Sequence, residues 1–145
     1  MKALLLAPVA RTSIFLGKAA GVFVFMGVVE IVVVPSVFFF FNLELSAGAL
    51  VRLFLTLGLG TLGQAIVGTL LAGVLQKTRS KEVLLAIVFY PIILPVIIVG
   101  VKATSALFDP TLPIEDFSVW VRLLALFDVV FLVASLWIFE PLVTD

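Results

Sequence analysis

Residues Leu50–Leu75 read LVRLFLTLGLGTLGQAIVGTLLAGVL and form one of four long apolar stretches in the chain. A bilayer's hydrocarbon core is about 30 Å thick and is crossed by about 20 apolar residues in a helix. Each stretch reaches that length. We therefore expect an all-α polytopic membrane protein, with residues 1–18 as a cytoplasmic interfacial connector and 19–145 as a four-helix transmembrane region. The predicted spans are about 19–41, 50–75, 83–107 and 117–139.

The composition supports this class of protein and excludes several kinds of chemistry. Of 145 residues, 63% are hydrophobic and 12% charged, whereas a typical soluble domain carries about 25% charged residues. The chain has no Cys and no His, which removes disulfides, thiolate catalysis and the common zinc sites. The formal net charge is zero, so no nucleic-acid partner is indicated. We expect membrane lipid as a partner, no metal and no catalytic centre.

Small residues recur every four positions along the second span, on two adjacent stripes. Helix backbones approach closely where small residues share a face, and in lipid this close packing drives helix association. The second span is therefore predicted to be the packing centre of the bundle, or the face that binds a second copy in a homo-oligomer. The predicted packing residues are Gly60, Ala65, Gly68, Thr69 and Gly73.

Basic residues cluster on one side of the predicted membrane topology. Six of the nine Lys and Arg residues precede the first span or lie between the second and third, whereas the other two connections are acidic. Cytoplasmic loops carry the excess of Lys and Arg. Both termini are therefore predicted to be cytoplasmic.

The third span contains the sequence PIILPV, with Pro91 and Pro95 four residues apart. Each proline removes a backbone donor and clashes with the preceding turn, so a kink is expected. The kink is either a static bend or a hinge that moves during transport.

Three polar side chains lie near the middle of predicted spans: Glu30, Gln64 and Asp128. A carboxylate at the bilayer centre costs about 2.5–3.5 kcal/mol if it faces lipid. We therefore predict that the three form a buried intramembrane polar layer. The layer either holds the helices together or forms a path for protons or substrate.

The order of motifs along the chain resembles that of the haem exporter protein B family, the CcmB-like permease of cytochrome c maturation. Members usually have six spans and a longer chain, so the resemblance implies that this chain lacks the first two spans and is a fragment or a short form. The motifs that carry the resemblance are LLAPVARTSIFLGK from Leu5, VVEIVVVP from Val28, LGLGTLGQAIVGTL from Leu57, PIILPV from Pro91, and Phe127-Asp128.

The resemblance implies a permease subunit in a bacterial inner membrane that works with a separate cytoplasmic ABC ATPase and with other membrane proteins of cytochrome c maturation. It implies no cofactor bound directly, with haem handled by the complex. The residues predicted to dock the ATPase are Pro8, Arg11, Lys18, Lys77, Arg79 and Lys81. The alternatives are the permease of another small ABC-2-type exporter and a non-transporting scaffold for complex assembly.

Overall fold

Four long helices account for most of the structure, a computed structural model that describes residues 11–77, 79–109, 111 and 113–142. The helices are α1 (Arg11–Phe41), α2 (Ala47–Val74), α3 (Lys81–Phe108) and α4 (Ile114–Leu142), and a short 3-10 helix, Leu75–Lys77, follows α2. No strand occurs among the described residues. The predicted all-α fold with four membrane-spanning helices is confirmed.

The helices are longer than the predicted spans. Each holds a membrane-spanning segment by length and hydropathy, of 30, 28, 27 and 24 residues in chain order. At 1.5 Å per residue these segments are about 36–45 Å long, which exceeds a hydrocarbon core of about 30 Å and requires tilt or ends that enter the headgroups. The largest difference is in α1, which begins at Arg11 rather than Ala19, so part of the predicted connector is helical.

The connection between α1 and α2 explains why both helices end where they do. Asn42 adopts a left-handed conformation, with φ 49°, and the amide of Leu43 donates to the carbonyl of Phe38 at 3.1 Å. This is the hydrogen-bond pattern of a Schellman C-cap. Ser46 then caps α2, because its hydroxyl accepts a hydrogen bond from the amide of Ala49 at 3.3 Å. Ser46 therefore sets the start of α2 three residues before the predicted Leu50.

The connection between α3 and α4 is ordered by Asp109. Its Oδ1 accepts hydrogen bonds from the hydroxyl of Thr111 at 2.6 Å and from the Thr111 amide at 2.9 Å. These two bonds, the side-chain one first, hold the pKa of the fully exposed Asp109 carboxyl below its usual value. The turn therefore keeps its carboxylate ionised at neutral pH.

Both prolines of the third span lie inside a single helix. The α3 helix runs from Lys81 to Phe108 without interruption and includes Pro91 and Pro95. The two missing amide donors leave the carbonyls of Ile87 and Pro91 without their usual helical partner. The helix is thus not divided into two segments, and the expected kink stays a prediction.

The α2 helix packs against each of the other three helices. One core cluster joins α2 to α3 and α4, and its buried members are Val67, Leu71, Ile93, Val96, Val99 and Leu124. A second cluster joins α2 to α1 and α4 through buried Phe15, Ile66 and Leu70. The small residues of α2 allow this arrangement, because helices can approach it from several sides.

Phe15 lies in the segment that we predicted to be an interfacial connector. Its side chain is fully buried and packs with Ile66 and Leu70 of α2, beside the partly buried Leu132 and Leu136 of α4. The beginning of α1 is therefore attached to the bundle through an aromatic side chain.

The outward faces of all four helices are apolar, as lipid contact requires. Large side chains such as Phe25, Val51, Leu94 and Leu126 are at least half exposed in the isolated chain. In a chain of this size so large an exposed apolar surface marks a membrane-facing or partner-facing surface.

We predict that Phe15→Ala destabilises the protein by about 3 kcal/mol, because a fully buried aromatic ring leaves a cavity. The matched control is Phe25→Ala in the same helix, where the ring is 71% exposed and its loss changes stability by about 0.5 kcal/mol or less. Unfolding by sodium dodecyl sulfate in mixed micelles measures both. Equal effects of the two substitutions would contradict the buried position of Phe15.

Candidate functional site

Glu30 of α1 is the first of the three predicted intramembrane polar residues. The hydroxyl of Thr61 on α2 donates a hydrogen bond to Glu30 Oε1. Thr61 is buried and Glu30 is partly buried. The interaction joins α1 to α2 within their membrane-spanning segments, where lipid offers no alternative partner.

Glu30 lies in the wall of a cavity of about 440 Å³. Gln64 lines the same cavity, so the structure brings two of the three predicted polar residues together. The α3 helix supplies another wall from Val96 to Phe108. Further polar side chains that line it are Thr56, Thr61, Thr104 and Ser105. The volume falls within the range of small-molecule sites, about 300–1,000 Å³.

The cavity exists because α1 and α3 separate over α2. Among the described residues, α1 packs against α2 and α4 and does not pack along α3. At the end of both helices Phe38 and Phe108 come together, with ring centroids 6.4 Å apart. The cavity thus has α2 as its floor and a pair of aromatic rings near one end, and it lies between α1 and α3, which do not pack against each other.

Asp128 of α4, the third predicted polar residue, is not among the residues that line this cavity. Its side chain is 4% exposed, and neither carboxyl oxygen has a hydrogen-bond partner among the described residues. The hydroxyl of Ser135, two turns further along α4, is also buried without a partner there. An unpaired buried polar group costs about 1–3 kcal/mol, so both positions are unusual for a purely structural helix.

Gly63 of α2 makes room for Asp128. A Cβ atom at Gly63 would lie 2.5 Å from Asp128 Oδ1 and 3.6 Å from a methyl carbon of Val96. No residue other than glycine fits this approach of α2 to α4 without movement. We did not include Gly63 among the predicted packing residues. Its place in the run from Gly58 to Gly63 is visible in the sequence, but no residue pattern shows which helix faces it.

The predicted packing residues of α2 have different surroundings. Ala65 and Thr69 are buried, and the hydroxyl of Thr69 has no partner among the described residues. Gly60 lines the cavity beside Glu30. A Cβ at Gly68 would make ordinary contact with Phe89, at 3.8 Å, and Gly73 is half-buried near the end of α2. Whether any of these residues also binds a second copy stays a prediction.

The described residues among those predicted to dock an ATPase lie towards one end of the bundle, which we call the basic end. Lys18 on α1 and Arg79 between α2 and α3 are exposed. Arg11 begins α1, Lys77 ends the 3-10 helix and Lys81 begins α3. Pro8 lies outside the described residues. The opposite, acidic end carries the exposed Glu44, Asp109 and Glu115.

No group of three or more Asp, Glu, His or Cys residues that could hold a metal ion occurs in the described part of the chain. The membrane interior instead holds two separate carboxyl environments on different sides of α2. Glu30 contacts a hydroxyl and an open cavity, whereas Asp128 is enclosed in the core. The fold and these sites define a polytopic helical membrane protein with polar groups inside the bilayer.

Comparison with known families identifies which membrane protein this is. The family model described as "CcmB protein" matches residues 1–140. The chain therefore belongs to the CcmB family, the haem exporter protein B family that its motifs resemble. Searches of curated proteins and of solved structures gave no match.

Family membership establishes the general role. The chain is a multi-pass membrane subunit of the haem-exporter type that belongs to cytochrome c maturation. At the level of the family it is a permease subunit and not a catalytic enzyme. The family also implies a complex with an ABC ATPase and with other proteins of this pathway.

We predict that Gly63→Ala destabilises the chain by about 1–3 kcal/mol, because the added methyl group collides with the Asp128 carboxyl. Gly58→Ala is the matched control, since a Cβ at Gly58 meets nothing within 4 Å. Because alanine favours a helix over glycine by about 1 kcal/mol, the control is expected not to destabilise the chain. Detergent unfolding measures both.

A double-mutant cycle locates the cause of the Gly63→Ala effect. If the methyl group acts through Asp128, adding Asp128→Ala removes most of the extra cost, because the two sites are coupled by direct contact. Additive effects of the two substitutions would contradict the close approach of α2 to α4.

Proposed function

We propose that this chain is the permease subunit of a haem-exporter-type ABC complex in a bacterial inner membrane, and that a separate cytoplasmic ATPase drives it. The observation that carries the proposal is the family match over residues 1–140 on a bundle of four membrane-spanning helices. The described residues are taken up by these helices and their short connections. A separate ABC ATPase subunit, which the family implies, would hydrolyse the ATP.

The glycine-rich run of the chain supports a permease that does not itself bind ATP. Gly58, Gly60 and Gly63 have the spacing G-x-G-x-x-G, which in nucleotide-binding domains follows a strand and opens a helix. Here all three glycines lie inside α2, within a membrane-spanning segment. This position does not suit phosphate binding, and Gly63 instead makes room for the side chain of Asp128.

The basic end of the bundle is the proposed docking surface for the ATPase. Lys18 and Arg79 are exposed there, and Lys77 and Lys81 flank Arg79 along the chain. The positive-inside rule favours a cytoplasmic position for this end and for both termini. Movement of an ATPase at this end would reach α2 and α3 directly, because the connection between them lies in the docking surface.

Haem handling is proposed to be a property of the complex and not of this chain alone. The chain has no His and no Cys, which are common protein ligands of haem iron. This composition supports a subunit that transmits ATP-driven movement, with iron ligation by partner proteins of the same pathway. The membrane partners proposed here are the other cytochrome c maturation proteins and the surrounding lipid.

We predict that Arg79→Glu lowers co-purification of the cognate ABC ATPase at least tenfold, because the reversed charge repels an acidic partner surface. The matched control is Glu44→Lys, an exposed charge reversal in the connection at the acidic end, which leaves co-purification unchanged. Tagged full-length chain, solubilised with its partners in mild detergent, provides the measurement.

Detergent unfolding of the two variants shows whether each still has the wild-type fold. Both variants should unfold at the wild-type detergent concentration, since both residues are exposed. Unchanged ATPase recovery with Arg79→Glu, or an equal loss with Glu44→Lys, would contradict the proposed docking surface.

A further inference from the structure

Four hydroxyl side chains line the cavity between α1 and α3, and they share one property. Each already donates its hydrogen to another group of the protein. Thr56 donates to the Arg52 carbonyl at 3.0 Å. Thr104 donates to the Gly100 carbonyl at 2.8 Å. The other two hydroxyls that line the cavity are those of Ser105, which donates to the Lys102 carbonyl at 3.0 Å, and Thr61, which donates to Glu30.

A hydroxyl group has one hydrogen to donate and two lone pairs that accept. The four hydroxyls therefore offer a ligand only lone pairs. The carboxyl of Glu30 adds a further acceptor, and the amide of Gln64 adds one acceptor and the only side-chain N–H donors of the lining. A ligand that enters this cavity meets mainly hydrogen-bond acceptors, including one acidic side chain.

The rest of the lining is apolar, and its shape suits a chain-like ligand. Val96, Ile97 and Val101 of α3 line the cavity, which follows α3 from Val96 to Phe108, about 18 Å along a helix. Gly60 and Gly100 present no side chain, and a Cβ at either position meets nothing within 4 Å. The cavity lies between two membrane-spanning segments that do not pack against each other, so we expect it to open towards lipid.

We propose that this cavity binds the primary ammonium group of an amphiphile that enters from the bilayer between α1 and α3. The three N–H donors of an ammonium group would bind Glu30 and the hydroxyl oxygens, and the apolar part would lie along α3 and leave through the opening. The ammonium group belongs either to phosphatidylethanolamine or to a free long-chain amine. This site is additional to the proposed permease function and does not depend on the ATPase.

The chemistry of the lining argues against other ligand classes. A ligand whose polar group is a phosphate or carboxylate alone would place that anion against acceptors and an acidic side chain, which is repulsive and leaves its oxygens unpaired. A quaternary ammonium has the charge but no N–H donor. A plain hydrocarbon chain would leave the Glu30 carboxyl and the hydroxyl lone pairs without a partner. A primary ammonium satisfies charge and hydrogen bonding together.

The test measures binding of dodecylammonium to the purified full-length chain in a neutral detergent, by calorimetric titration with protein-free micelles subtracted. The expected result is one saturable site. Dodecyltrimethylammonium, which has the same charge and chain but no N–H donor, is expected to bind at least tenfold more weakly, and dodecanoate is expected not to compete.

Two variants with matched controls locate the site. Gly100→Leu fills the cavity, whereas Gly58→Leu places the same side chain in open space on α2 outside the lining. Glu30→Gln keeps an acceptor for Thr61 and removes the acid, whereas Glu115→Gln makes the same change at an exposed site on α4. We expect at least a tenfold loss of dodecylammonium affinity in the first member of each pair and no change in the second.

Native mass spectrometry of the chain purified from membranes identifies the natural source. A retained phosphatidylethanolamine that is lost in Gly100→Leu would assign the site to lipid, and a retained amine of smaller mass would assign it to a free amphiphile. Dodecylammonium affinity that survives Gly100→Leu, or equal affinity for the trimethyl compound, would overturn the proposal. Wild-type unfolding of each variant in detergent confirms that lost binding is not lost folding.

Discussion

The bilayer interior offers no hydrogen-bond partners and no hydrophobic driving force for the association of helices. The rest of this structure follows from that constraint. Helices in such a medium associate through close packing and a few internal polar contacts. The α2 helix meets both requirements, because it has small residues on several faces and packs against α1, α3 and α4. Both hydrophobic core clusters contain residues of α2.

The two intramembrane carboxyl groups, one on α1 and one on α4, contact α2 in different ways. On one face, Thr61 donates to Glu30 of α1 at the edge of an open cavity. On the other side of α2, Gly63 provides the space into which Asp128 of α4 fits. The first arrangement leaves a polar group accessible to a ligand, and the second encloses one without a partner among the described residues. The two alternatives for the polar layer, a structural contact and a path for protons or substrate, both stay predictions.

Much of the architecture could be predicted from the sequence because the signals are local. Four apolar stretches predict four spanning helices, and the spacing of small residues points to α2 as a packing helix. The contacts that the sequence did not reveal are those between helices. Phe15 is one apolar residue among many, and only the packing of α1 against α2 and α4 shows that it is buried. Gly63 was visible as a glycine, but its role depends on the position of Asp128, 65 residues later in the chain. The cavity arises from the divergence of α1 and α3, which no residue pattern records.

The central claim is that these four helices cross the bilayer with α2 inside the bundle. The chain has no Cys, so single cysteines can be introduced and spin-labelled without background. Labels at Phe25→Cys, Leu94→Cys and Leu126→Cys, at exposed positions in the middle of α1, α3 and α4, should in lipid vesicles be relaxed by oxygen and not by a water-soluble nickel chelate. Labels at Glu44→Cys and Arg79→Cys should show the reverse. Efficient relaxation of the first three labels by the nickel chelate would show that these faces meet water, and would contradict the membrane-spanning bundle.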